Sequence, residues 1–135
     1  MLSSSQNAIA AVILAAGAST RMGTPKQLLL YQGRSLLRRV TETAIAAHCR
    51  PIFVVLGAYS AQIRCELRDL PVQVVENLEW QRGMGSSIRH GIQALIETSP
   101  LVEATILLLC DQPFVSVPTI HQLQSVYRSS NNPII

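Results

Sequence analysis

The stretch "AIAAVILAA", Ala8 to Ala16, limits what this chain can become more than any other feature. A strand with one wet face alternates polar and apolar residues. A strand covered on both faces reads as an unbroken apolar run. Three further runs of the same kind follow: "IFVVLG" directly after Pro51, the short "VQVVEN" after Pro71, and "ATILLLC" from Ala104 to Cys110. Between them lie helical patterns. "SLLRRVTETAIAAHC" sets Leu36, Leu37, Val40, Ala44 and Ile45 on one stripe, with Ser35 as its N-cap. "AYSAQIRCELRDL" has an apolar face at Ile63 and Leu67. A small-residue loop, Gly83 to Ser87, opens a helix carrying Ile88, Ile92, Leu95 and Ile96. "VPTIHQLQSVYR" is a helix with Pro118 in its first turn. Strands and helices alternating in this way predict right-handed βαβ units. The fold class is therefore α/β, a three-layer αβα sandwich on a mainly parallel, Rossmann-like sheet.

Composition agrees. Of 135 residues, 48% are hydrophobic and 14% charged, which excludes a disordered chain. Only 4% are aromatic, so aliphatic side chains must fill the core. A net charge of +3 with scattered arginines points to neither a nucleic-acid groove nor a membrane patch, and a small anionic substrate fits better. Cys49, Cys65 and Cys110 show no metal-ligand spacing and read as buried, reduced thiols of a cytoplasmic protein. Nothing basic precedes the first apolar run, which is also too short to span a bilayer. Residues 1–7 read as a disordered leader and 8–135 as one domain, with "NNPII" as the start of a fifth strand.

In open α/β sheets, ligands bind beyond the carboxyl ends of the strands. There the first run breaks into "GASTRMGTPKQ". Gly17, Ala18, Ser19 and Gly23 leave backbone N–H groups accessible to an anion. Arg21 and Lys26, the one lysine of the chain, supply positive charge. The spacing is neither that of a Walker A loop nor of a dinucleotide fingerprint, and Gln27 stands where a magnesium-binding hydroxyl would be needed. On residues alone the segment is a phosphate cradle or a plain strand-to-helix turn. Gly83, Gly85, Ser86 and Ser87 are a second ligand-facing loop or a turn with Ser86 as N-cap. Asp111, at the end of the fourth run and before Pro113, is a turn residue or a carboxylate holding Mg²⁺ on substrate phosphates. His48, His90 and His121 are far apart and read as packing or surface residues.

Together, "LAAGASTRMGTPKQLL", "ENLEWQRGMGSSIRHGI" and "LLLCDQPFV" resemble, in order and spacing, the molybdenum cofactor nucleotidyltransferases, the cytidylyltransferases among them. The resemblance runs from about Ala8 to the C-terminus. It implies the nucleotide-diphospho-sugar transferase type of the α/β sandwich. The implied reaction is transfer of CMP from CTP to the terminal phosphate of molybdopterin, with Mg²⁺ and release of pyrophosphate. It also implies that Leu14, Ala15, Ala16, Gly17, Ser19 and Gly23 wrap the nucleotide, with Arg21 and Lys26 on the triphosphate. Gly83, Gly85, Ser86 and Ser87 lie near the nucleoside, and Asp111 is the metal carboxylate. Arg21, Lys26 and Asp111 form the catalytic set. The guanylyltransferase relatives carry glycine where this chain has Ala16, and the extra methyl group narrows the base pocket toward cytosine. "TPKQLL" also resembles the cytidylyltransferase of isoprenoid synthesis, and purine-degradation and hydroxylase-maturation proteins share the motifs. The alternatives are thus a guanylyltransferase, another small-molecule cytidylyltransferase, or a nucleotide-binding module without activity. A molybdoenzyme or chaperone is the implied protein partner. Members of the family continue with a second acidic metal ligand and much of the pterin site, so the domain is expected to lack a C-terminal part.

Overall fold

The computed structural model describes residues 8–134, so the expected disordered leader, residues 1–7, lies outside the described residues. Strand β1 (Ile9–Ala15) is followed by two short antiparallel ribbons, β2 (Thr20–Arg21) with β3 (Thr24–Pro25) and β4 (Leu30–Tyr31) with β5 (Arg34–Ser35). Next come α1 (Leu36–Ala46), β6 (Ile52–Leu56), α2 (Ser60–Arg64) and β7 (Gln73–Glu76). Then follow α3 (Met84–Thr98), β8 (Ala104–Leu109) and α4 (Val117–Ser129).

The four long strands form one parallel sheet in the order β7–β6–β1–β8. Strand β1 is therefore central, and all seven of its residues are buried, as its unbroken apolar run requires. Its alternate residues feed two separate cores. Ala11, Ile13 and Ala15 meet α1 and α4 through Leu37, Val40, Ala44 and Ile120. Ala10, Val12 and Leu14 meet α3 through Leu95 on the other face. Phe53, Ile13, Leu37, Leu56, Ile63 and Ile120 are each under 2% exposed, and burial of such a side chain contributes about 1.5–3 kcal/mol. On the second face α3 sits close to the sheet, because a Cβ at Gly91 would stand 2.6 Å from Val12 Cγ1 and 3.0 Å from Val55 Cγ2. At the start of α1, the Ser35 hydroxyl accepts from the Arg38 N–H at 3.0 Å, the expected cap.

Several expectations are corrected. The second helix is short: α2 ends at Arg64 and continues as a 3₁₀ turn, Cys65–Leu67, which still places Ile63 and Leu67 in the core. Cys49 and Cys110 are buried, but Cys65 is exposed on the outer side of that turn. Helix α3 begins at Met84, so Gly85, Ser86 and Ser87 belong to its first turn and Gly83 is the cap residue, with no side-chain cap. Ile96, assigned to the apolar stripe, is 58% exposed, because the helix rests on the sheet through Gly91 instead. Residues 131–134 form no strand. The two ribbons escaped sequence reading because pairs of two residues carry no alternation. Among the described residues no helix is long and apolar enough to cross a membrane.

Candidate active site

Register brings the carboxyl ends of the strands level. Leu14 pairs with Leu109, Ala15 with Leu56, and Leu56 with Glu76. At that level a crevice of about 290 Å³ opens. Its floor is Leu14 and Ala15 of β1 with Ala16 and Gly17 just past it, beside Leu109 of β8 with Cys110 and Asp111 just past that strand. Ser19, Lys26 and Gln27 form one wall, and Trp80, Gly83, Met84 and Ser87 the other.

The first wall is a folded-back loop. The Lys26 N–H donates to Ser19 O at 3.0 Å, and the ribbon above it pairs Thr20 with Pro25 and Arg21 with Thr24. This arrangement turns Lys26 toward the crevice. It leaves Arg21 exposed on the ribbon, and neither Arg21 nor Gly23 lines the crevice. Gln27, assigned no role by sequence, is 3% exposed, and its Nε2 donates to both Ala15 O and Gly17 O at 2.9 Å.

The second wall rests on a residue that sequence reading missed. Asn77, wholly buried just past β7, donates from Nδ2 to Ser86 Oγ at 3.2 Å and Ser87 Oγ at 3.1 Å. Its Oδ1 accepts the Glu79 N–H at 2.8 Å. The hydroxyls of Ser86 and Ser87 are thus both committed to buried bonds with Asn77. Ser86 and Gly85 stand off the crevice, while Gly83 and Ser87 line it. Trp80 packs on the bare backbone of Gly57, where a Cβ would come within 2.5 Å of Trp80 Cβ and 3.0 Å of Ala16 Cβ. The signal for Asn77 was a polar residue ending an apolar strand. Trp80, Met84, Leu109 and Cys110 carried no such signal.

The two walls belong to one known domain type. The model of the MobA-like NTP transferase domain matches residues 11–135. The chain belongs to that family. It is 39% identical over 122 residues to the nicotine blue oxidoreductase of Paenarthrobacter nicotinovorans, covering 89% of this chain and 57% of that protein. It is 34% identical over 130 residues to the bifunctional protein GlmU of Streptomyces griseus, covering 93% of this chain and 26% of that one. Among solved structures, Rv0371c of Mycobacterium tuberculosis superposes with a TM-score of 0.77 at 29% identity, covering 92% of this chain and 62% of that one. A structure of Rv0371c in complex with manganese also matches, with a TM-score of 0.71. The chain thus spans 57% of the Paenarthrobacter protein and 62% of Rv0371c.

In this MobA-like domain the charged groups converge on the β1–β8 side of the crevice. The Cys110 thiol is pushed up to about 12, by burial first and then by the Asp111 carboxylate, while Lys26 pulls the other way. Cys110 is therefore a neutral thiol at neutral pH and no nucleophile. No cluster of three His, Cys, Asp or Glu suited to a metal exists among the described residues. One exposed carboxylate on the crevice floor does match the way Mg²⁺ is held, by one or two carboxylates and the substrate's own phosphates. His48 and His121 are exposed and outside the crevice, and the His90 ring bonds Ser86 O at 2.9 Å.

Proposed function

We propose that this domain carries the nucleotide site of a nucleotidyltransferase that moves CMP from CTP to the terminal phosphate of a molybdopterin-type acceptor, releasing pyrophosphate. The observation that carries the reading is the meeting of Lys26 and Asp111 at one crevice, beside a loop of accessible backbone N–H groups. The Lys26 ammonium binds the triphosphate as a mobile point charge, and N–H groups of Gly17 to Ser19 add fixed donors. Arg21, exposed on the ribbon that follows this loop, takes the outer phosphates. An oxygen of the acceptor phosphate forms a bond to the α-phosphorus, and the bond to the β-bridging oxygen breaks, its electron pair leaving with pyrophosphate. Lys26 neutralises charge as it builds on the leaving group. No covalent intermediate with the protein is required. Asp111 is the residue that would hold Mg²⁺, which when bound screens the phosphate oxygens from the attacking anion.

Leu14, Ala15, Ala16, Gly83 and Ser87 take the nucleoside. The Ala16 methyl group, in contact range of the Gly57–Trp80 wall, narrows the space for a base and favours cytosine over guanine. One methyl group supplies about 1–3 kcal/mol of such discrimination. The motif resemblance supports the acceptor class and a molybdoenzyme or chaperone partner, and the three free cysteines support a cytoplasmic site of action.

Pyrophosphate release from CTP, GTP and ATP, each with molybdopterin cofactor and Mg²⁺, tests the proposal. Turnover with CTP ahead of GTP supports it. Calorimetric binding of CTP without turnover favours a binding module, the second reading. The identity to a protein named an oxidoreductase sets a further arm, and oxidation of a nicotinamide cofactor without any pyrophosphate release would replace the proposal.

A further inference from the structure

Gln27 is bonded in a way that space filling does not explain. Its amide is 3% exposed, and both Nε2 hydrogens are used, one on Ala15 O and one on Gly17 O, each at 2.9 Å. A flipped amide would set Oε1 against those two carbonyl oxygens, so the donor assignment follows from chemistry. Oε1 is buried and has no hydrogen-bond partner among the described residues. A methionine would fill the same volume without burying an unpaired acceptor. What the amide alone supplies is a two-point clamp at the place where the chain leaves β1. Ala15 is the last residue of the strand, and Gly17 is the first exposed residue of the loop. Gln27 also directly follows Lys26, whose own N–H closes the loop on Ser19 O. The clamp therefore fixes two things at once, the direction of the Gly17–Ser19 backbone and the position of Lys26 against it.

We infer that Gln27 is a positioning residue, its amide holding the Gly17–Ser19 backbone and Lys26 in the arrangement that receives the phosphates. The inference rests on the nucleotidyl-transfer reading of this crevice. Preorganised donors act most strongly when they need not reorient as charge develops, and a misplacement of about 1 Å costs up to ~10²-fold in rate. Gln27→Met removes both donors at nearly equal volume. Gln27→Glu keeps the shape but sets a carboxylate against two carbonyls. When that carboxyl is protonated it regains one donor.

Two measurements on the full chain decide the matter. The first is amide hydrogen exchange without nucleotide. In Gln27→Met, exchange over residues 17–19 rises at least ~10-fold while β1 and β6 keep their protection. Unchanged exchange in the loop overturns the inference, and loss of protection throughout the sheet marks a general folding defect and overturns it too. The second is pyrophosphate release from CTP. In Gln27→Met, kcat falls ~10-fold or more with KM changed less than about threefold. In Gln27→Glu, the rate relative to the parent climbs as pH is lowered. Parent-like kcat in the methionine variant, or a flat ratio in the glutamate variant, overturns it. If the parent itself releases no pyrophosphate, the nucleotidyl-transfer reading fails, and the exchange result still decides whether the clamp exists.

Discussion

Gly57→Ala is the most informative small change, because one methyl group tests both the packing and the shape of the crevice. The new Cβ would lie 2.5 Å from Trp80 Cβ, 2.8 Å from Trp80 Cγ and 3.0 Å from Ala16 Cβ. Carbon atoms in ordinary contact stand about 3.5–4.0 Å apart, so the Trp80 segment must retreat by roughly 1 Å. A rotamer change gives little relief, since the nearest atom is the Trp80 Cβ, which moves only with its backbone. Overpacking of this kind costs about 1–3 kcal/mol. Replacing glycine returns about 0.4–1 kcal/mol by restricting the unfolded chain. The net expectation is a loss of about 1.3 kcal/mol at the centre of these ranges, equivalent to roughly 5 °C in Tm. Trp80 is the only tryptophan of the chain, so its fluorescence reports the displacement directly and also follows thermal unfolding. The native emission should shift, Tm should fall, and CTP affinity should weaken, because Trp80 and Ala16 both line the crevice. An unchanged Tm together with an unchanged emission maximum would refute the contact as a constraint.

Asn77→Ala leaves the buried hydroxyls of Ser86 and Ser87 and the Glu79 N–H without their shared partner, and should cost about 2–3 kcal/mol in urea unfolding. The same variant should loosen the start of α3, seen as faster amide exchange at residues 83–87. Alkaline stability should depend on Cys110. Its folded value lies near 12, above the unfolded value of 9.0, so the stabilisation is complete below about pH 9 and is lost as pH rises toward 12. The loss amounts to about 4 kcal/mol over that range, and Cys110→Ser should flatten the decline in a pH series of urea melts.

The sheet was readable because burial on both faces writes itself into sequence as an unbroken apolar run. β1, β6 and β8 fall within their expected spans, shorter by one residue or two. Caps were equally readable where one side chain decides them, as Ser35 does at α1. Winding was harder: Ile63 and Leu67 are buried whether the backbone is α or 3₁₀, so periodicity could not separate the two. The crevice was legible at its strand ends and glycine turns. It was not legible where long-range bonds decide, since nothing in "PKQLL" or "VVEN" tells which carbonyls Gln27 will meet or which hydroxyls Asn77 will meet. Arg21 shows the converse. Its charge and spacing fit a phosphate, but a two-residue ribbon that no sequence pattern announces leaves it exposed and outside the crevice lining.

The central claim is that Lys26 and Asp111 act together on a nucleoside triphosphate in this crevice. Its most direct test is pyrophosphate release from CTP with molybdopterin cofactor and Mg²⁺, comparing the parent with Lys26→Ala and Asp111→Ala. Each variant should lose at least ~10²-fold in turnover while keeping the parent's fold. Parent-like rates in both variants would contradict the account.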